Sequence, residues 1–253
     1  MHAVVAGQNL SKTFQVRGRR GSALAALRDV TVAVHPGESV GLVGESGSGK
    51  STLSRVLVGV ERPNAGEILH LGKPVTTRVA WRALRRDVQY VFQDPYTALP
   101  PKMRVRDILA EPMRIHGIGD PHERAERVRT TLDLVGMTTD ALPRYPSAFS
   151  GGQRQRICIA RALVLDPKVI ICDEVVSGLD VSIQAQVMNL LIDLQSQLSL
   201  GLLFISHDLR VIRYMCERVC VMYDGQIVES GTSESVFEDP NHAYTRGLLS
   251  ASP

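Results

Sequence analysis

Apolar residues in the first 43 positions fall into short runs with turn residues between them. Val30-Thr-Val-Ala-Val34 alternates in the manner of a strand buried on one face, and His35-Pro36-Gly37-Glu38 reads as a turn. Ser39-Val-Gly-Leu-Val43 is a nearly continuous apolar run, fit for a strand covered on both faces. From Lys50 the period changes. Leu53, Val56, Leu57 and Val60 repeat at the spacing of one helix face until Arg62-Pro63-Asn64-Ala65-Gly66 interrupts them. A strand, a glycine loop and a helix are therefore predicted in that order.

Between about Asp94 and Ala148 the pattern loses its strand character. Proline clusters flank Val105 to His116 and His122 to Val135, both of helical period. Beyond it, Lys168-Val-Ile-Ile-Cys172 predicts a second buried strand, Ile183 to Leu198 an amphipathic helix, and Leu202-Leu-Phe-Ile205 a third strand. Such alternation implies an α/β fold with a largely parallel sheet and helices on both faces. The division that follows is a core of residues 1–93 and 149–253, opening with an antiparallel β subdomain, and an inserted helical subdomain at 94–148.

A chain of 253 residues with 44% hydrophobic and 22% charged positions can bury such a core without disulfides or a structural metal. The formal charge, 29 − 26 = +3, is too mild and too scattered to suggest a nucleic-acid partner. Cys158, Cys172, Cys216 and Cys220 form no C-x-x-C pair, which points to a reducing compartment. No stretch is apolar enough for a membrane span, and Met1 to Leu10 lacks the marks of a signal peptide, so any membrane role is expected to be peripheral. His2, His35, His70, His116, His122 and His242 lack metal-ligand spacing and read as surface positions. The basic run from Arg17 to Gly21 reads as a solvated loop, and Trp81 to Arg86 as a short helix with a basic face.

Chemistry first enters at the glycine loop. Gly44-Glu45-Ser46-Gly47-Ser48-Gly49-Lys50-Ser51-Thr52 fits the phosphate-loop pattern G-x-x-x-x-G-K-[ST], and it lies between a predicted strand and a predicted helix. The glycines let backbone N–H groups turn inward on a phosphate, and the helix N-terminus adds its dipole. Lys50 would span the β- and γ-phosphates of a nucleotide, and Ser51 would offer a hydroxyl to Mg²⁺. Asp173 and Glu174 end the second buried strand, where open α/β sheets place their ligand crevice. Such a pair is otherwise a solvated edge; beside a phosphate loop, Asp173 is expected to hold Mg²⁺ and Glu174 to activate the attacking water.

Phe149-Ser150-Gly151-Gly152-Gln153-Arg154-Gln155-Arg156, about fifteen to twenty residues before the acidic strand, resembles the signature motif of ABC-type ATPases. The resemblance covers nearly the whole chain. It implies a RecA-like P-loop NTPase core that binds ATP and Mg²⁺ and pairs head to tail with a second ATPase, Ser150 to Gln153 of one subunit meeting the γ-phosphate held by the other. Gln93 in Val91-Phe-Gln93-Asp-Pro95 matches the family's Q-loop glutamine, implied to sense Mg²⁺ and the attacking water. Ser177-Gly178-Leu179-Asp180 matches the D-loop at the dimer interface, and His207 in Ile205-Ser206-His207-Asp208 the switch histidine on the γ-phosphate. Phe14 is the best match for the aromatic residue that stacks on adenine, although an aromatic in an early strand is as readily core.

Within the family, Gln93-Asp-Pro95-Tyr-Thr-Ala-Leu99-Pro-Pro101 and Asn241-His242-Ala243-Tyr244-Thr245-Arg246 resemble segments of the peptide and nickel importers, with Ala243 in place of a proline. Val175-Val176 replace the usual Pro-Thr, which is reminiscent of nickel-transporter subunits. The resemblance thus implies the ATP-hydrolysing subunit of an importer of peptides or nickel and metal chelates. It would sit on the cytoplasmic face of the inner membrane beneath two permease subunits and, indirectly, an extracytoplasmic solute-binding protein. A soluble ABC-type ATPase of a non-transport complex, as in phosphonate metabolism, is the alternative. A DNA-maintenance or translation factor fits less well, lacking a long coiled-coil insertion or a second fused ATPase domain here.

Overall fold

In the computed structural model, residues 2–15 and 23–251 are described, and the basic run at Arg17 to Gly21 lies outside them. The chain opens with β1 (Val5–Gln15) and β2 (Ala23–Val34), followed by β3 (Ser39–Val43), α1 (Lys50–Leu57), β4 (Ala65–His70), β5 (Lys73–Pro74), α2 (Arg78–Asp87) and β6 (Val88–Val91). Residues 94–148 hold α3 (Pro95–Ala98), α4 (Val105–His116), α5 (Pro121–Leu134) and two short 3₁₀ turns. Then come α6 (Gly151–Leu163), β7 (Val169–Asp173), α7 (Val181–Leu198), β8 (Gly201–Ile205), α8 (Leu209–Met215), β9 (Arg218–Tyr223), β10 (Gln226–Thr232), α9 (Ser233–Glu238) and α10 (Ala243–Ser250).

Two sheets result, one antiparallel in the order β2-β1-β4-β5 and one of six strands in the order β10-β9-β3-β8-β7-β6. In the larger sheet β9, β3, β8, β7 and β6 run parallel, and β10 closes one edge as an antiparallel partner of β9. Every residue of β3, β7 and β8 is buried. Their side chains alternate between two cores, as period-2 geometry requires. Ile170, Cys172, Leu202 and Phe204 face the α6 side, while Val169, Ile171, Leu203 and Ile205 face the α1 side. Each fully buried Val, Leu or Ile contributes roughly 1.5–3 kcal/mol, so these runs hold their strands in place without help from the loops.

The two faces are covered differently. Helices α4, α6, α7 and α8 pack on one side, whereas the other is shared between α1, α2 and the four-stranded sheet. The expectation of helices on both faces is met only in part on this second side. Val30, Val32 and Val34 of β2 turn one alternating face toward the second core, so a sheet occupies part of the space a helix would fill. In the segment at 94–148, α5 starts on a capping box of Asp120 and Glu123 with Pro121 in the first turn, and α4 stops at Gly117 with φ 68°.

Candidate functional site

The C-terminal ends of the parallel strands bring the motif residues to one edge. Buried β3 delivers the glycine loop, whose path is fixed by close backbone approach. A Cβ on Gly44 would lie 2.1 Å from the Met222 carbonyl oxygen, and one on Gly49 would lie 2.4 Å from that of Ala26. Both have positive φ, 149° and 109°, so glycine alone fits without strain. The loop is also tied to the β9–β10 turn, because the Gly225 N–H donates to Ser48 O at 3.0 Å. Gly49 caps α1 with no side-chain hydrogen bond, leaving that helix N-terminus to be satisfied from outside the helix.

Lys50 is folded back into the loop. Its ammonium donates to Gly44 O and Glu45 O, both at 2.7 Å, and lies 3.4 Å from Ser48 Oγ. Burial pushes its pKa down, opposed by the carboxylates of Glu174, Asp173 and Glu45. A desolvated cation amid inward backbone groups suits a polyphosphate. Glu45, Ser46 and Gly47 are exposed at the loop tip, Ser51 is exposed, and Thr52 is half-buried at the start of α1.

At the end of β7, Asp173 is 8% exposed and accepts the Tyr90 hydroxyl at 2.5 Å. Burial, and after it that contact, push the tyrosine's pKa up, so it remains a donor at ordinary pH. Glu174 follows with φ 50°, a left-handed conformation that costs a non-glycine residue roughly 1 kcal/mol or more. It is held there by its own N–H to Ile205 O at 2.9 Å. Gln93 Nε2 donates to Glu174 Oε2 at 2.8 Å, and His207 Nδ1 lies 3.3 Å from Oε1. Gln93, Glu174 and His207, drawn from three separate loops, thus meet on one carboxylate. Gln93 reaches Glu174, the neighbour of Asp173, and α1, which carries Ser51, is linked to Asp173 through Ser54 and Tyr90. The oxygen-bearing side chains of Ser51, Gln93 and Asp173 are of the kind a hard divalent cation takes. They fit Mg²⁺ better than a softer metal.

The Ser150 turn is built differently. Ser150 Oγ accepts the Gln153 N–H at 3.3 Å, and Gln153 Oε1 accepts the Ser150 N–H at 3.1 Å, a reciprocal cap on α6. Ser150 and Gln153 are exposed, Gly151 is half-buried and Gly152 buried. Ser150, Gly151 and Gly152, with Gln93, Ser177 and Asp180, line an open cleft of about 640 Å³, and none of residues 44–52 lines it. Within one chain, then, this turn and the phosphate loop face different spaces. Phe14, half-buried near the end of β1, pairs in register with Leu24, two residues before the Ala26 that touches Gly49; no described side-chain contact joins it to the loop.

Two tyrosines escaped the sequence reading. Tyr90 holds Asp173, and Tyr244 Oη accepts the Glu45 N–H at 2.9 Å while its ring lies 4.3 Å from that of Tyr223. The segment containing Tyr244 stood out in the sequence, but nothing local ties it to a loop 199 residues away. The histidines expected at the surface are a mixed set: His2 and His122 are exposed, and His35, His70, His116 and His242 are half-buried. His70 lies 3.1 Å from Asp87, and His242 caps α10 through Nδ1, so local structure draws both inward.

Comparison with known proteins points the same way. The sequence model described as ABC transporter matches residues 27–177. A Brucella abortus (strain 2308) protein provisionally named a peptide import ATP-binding protein is 51% identical over 233 residues, 91% of this chain and 70% of its own. A Brucella ovis protein with the same designation is 51% identical over 248 residues, covering 97% and 77%. CbiO1 from Clostridium perfringens, part of the ABC transporter complex CbiONQ, superposes with a TM-score of 0.82 at 28% identity, over 94% of this chain and 92% of that one. The ATP-binding cassette MJ0796, in a dimeric post-hydrolysis state bound to ADP and phosphate, gives 0.79 at 27% identity, over 90% and 98%.

Proposed function

The chain belongs to the ABC transporter family as an ATP-binding and ATP-hydrolysing subunit, and from that premise we propose that it powers an importer of peptides or of nickel and metal chelates. Two relatives named for peptide import support the first cargo, and Val175-Val176 speak for the second. The observation that carries the mechanism is the Glu174 carboxylate held between Gln93 and His207 at the mouth of the parallel sheet.

In this reading Phe14 stacks on adenine, and Gly44 to Thr52 enclose the phosphates. Lys50 leaves the Gly44 and Glu45 carbonyls and neutralises charge on the β- and γ-phosphates. Ser51, Asp173 and Gln93 hold Mg²⁺, which when bound offsets the charge that develops on the phosphates. Glu174 orients the attacking water and takes its proton, and His207, 3.3 Å away, steadies the γ-phosphate side of the site. The exposed Ser150 to Gln153 turn, with Asp180 beside it, meets the nucleotide of a second ATPase subunit, either another copy or a sibling. Each γ-phosphate is then fully contacted only in the closed pair, so occupancy and closure are linked.

No described helix is long and apolar enough to cross a membrane; in this reading the membrane span belongs to partners. Two permease subunits, served by an extracytoplasmic solute-binding protein, fit this role, with the chain at the cytoplasmic face. A groove of about 300 Å³ lined by Phe92, Ala98, Pro112 and Ile115 joins the edge strand β6 to the helices of 94–148 and suits their contact. The test is Glu174→Gln. Loss of the base lowers turnover by roughly 10²-fold or more while nucleotide binding persists; ordinary turnover in that variant refutes the assignment.

A further inference from the structure

Asp173 is a carboxylate at 8% exposure, and among the described residues the one side chain donating to it is Tyr90. A buried carboxylate needs such donors, because burial removes the water that would otherwise solvate it. Tyr90 belongs to β6 and pairs in register with Ile171, so its side chain shares a sheet face with Ile171 and with Asp173 two residues on. Its ring packs on Phe92 with centroids 4.7 Å apart, a contact that phenylalanine would make equally well. The hydroxyl is what phenylalanine lacks.

The hydroxyl's partners are settled by counting protons. An ionised carboxylate only accepts, so the single Tyr90 proton is committed to Asp173 Oδ2 at 2.5 Å. The contact of 3.1 Å between Tyr90 Oη and Ser54 Oγ must then have serine as donor. Ser54 is fully buried in α1, and its hydroxyl is also 3.0 Å from Ser51 O at the start of the same helix. Ser54 has one proton for both contacts, so it donates either to Tyr90 Oη or to the Ser51 carbonyl; α1 thus reaches Asp173 through Ser54 and Tyr90, with Ser51 O competing for the serine proton. Asp173 Oδ2 is engaged in this way, and among the described residues no side chain donates to Oδ1.

We propose that Tyr90 is a positioning residue: its hydroxyl fixes the Asp173 carboxylate for the divalent cation that accompanies the nucleotide and, through Ser54, registers that carboxylate against the helix bearing Ser51. The proposal rests on the reading of Asp173 as the cation's acid. Its test is direct Mn²⁺ binding rather than turnover, with Mn²⁺ standing in for Mg²⁺. Free Mn²⁺ is followed by electron paramagnetic resonance in the full chain carrying Glu174→Gln and saturated with ATP. Tyr90→Phe is expected to weaken Mn²⁺ binding about tenfold, the low end for loss of a ligand's outer hydrogen bond. ATP binding in EDTA stays as in the parent. Ser54→Ala shifts Mn²⁺ binding in the same direction by less, and Tyr90→Phe adds nothing once Asp173→Asn is present. If Asp173→Asn weakens Mn²⁺ binding and Tyr90→Phe leaves it at the parent value, the positioning role is overturned. If Asp173→Asn itself binds Mn²⁺ as the parent does, the reading of Asp173 fails, and this proposal with it.

Discussion

The loop at Gly44–Lys50 and the turn at Ser150–Gln153 are both glycine-rich starts of a helix, yet the chain finishes them in opposite ways. The first has no side-chain cap on its helix, is wedged by backbone at Gly44 and Gly49, and buries a lysine that its own carbonyls hold. The second caps itself reciprocally, and its glycines meet side chains rather than backbone, a Cβ on Gly151 lying 3.6 Å from Leu179 and one on Gly152 2.5 Å from Ile183. An uncapped helix start beside a desolvated cation is incomplete without an anion, whereas a self-capped turn in an open cleft is complete alone and free to meet another surface. This difference is what a nucleotide shared between two subunits requires.

The largest effect that could break this contrast comes from Lys50→Ala. Removing the one buried cation in the loop should weaken nucleotide binding by roughly 10²-fold, on the scale of losing one partner of a desolvated charge pair. Titration with a fluorescent ATP analogue reads it directly. Thermal stability without nucleotide should change little, since the lysine's present partners are loop carbonyls and its burial already disfavours the charged form. Parental affinity in this variant would mean that the loop does not hold the phosphates.

Ser150→Ala probes the other side and should have a smaller, divided effect. Nucleotide binding by the single chain stays at the parental level, because Ser150 lies in a cleft that residues 44–52 do not line. Loss of the cap costs about 1 kcal/mol, or about 2–4 °C in melting temperature for a chain of this size. In the Glu174→Gln background, ATP-driven pairing measured by light scattering should be lost. A variant that pairs as well as its parent removes the turn from the interface.

What the sequence disclosed follows the range of the interactions involved. Strands β3, β7 and β8 are buried on both faces, so each announces itself as a local apolar run. Helix α4 is legible because its period and its stop at Gly117 are both local. Strand β9 carries no such local signal. Its pairing with β3 joins Val219 to Gly41 across a long stretch of chain, and Arg218 and Tyr223 at its ends blur the pattern. The site divides in the same way: the glycine loop and the Asp173-Glu174 pair are contiguous motifs, while the Tyr90 contact spans 83 residues and the Tyr244 contact 199. Those contacts exist only once β6 lies beside β7 and α10 folds back on the loop, and no spacing rule encodes either event.

The mildest expected effect lies at the opposite end of β3 from the glycine loop and separates scaffold from site. Glu38 precedes that strand; its Oε1 accepts from Arg218 Nε at 2.7 Å, and its Oε2 accepts the His35 N–H at 2.9 Å. Burial alone would raise its pKa, but the Arg218 and His35 hydrogen bonds outweigh it and hold the carboxyl below its ordinary value of 4.5. A depressed folded-state pKa means that the stabilisation is fully present above 4.5 and is lost as the pH falls through the lower, folded value. Glu38→Gln, which keeps the shape and removes the charge, should therefore lower the melting temperature at neutral pH by about 2–4 °C, the shift expected for about 1 kcal/mol. The gap between variant and parent should close on acidification below 4.5, where the parent also loses its charge. Nucleotide binding should not change, because Glu38 touches neither glycine-rich helix start. A gap that persists into acid would show that the stabilisation does not depend on the ionised carboxylate, and a change in ATP affinity would show that the two ends of β3 are not independent.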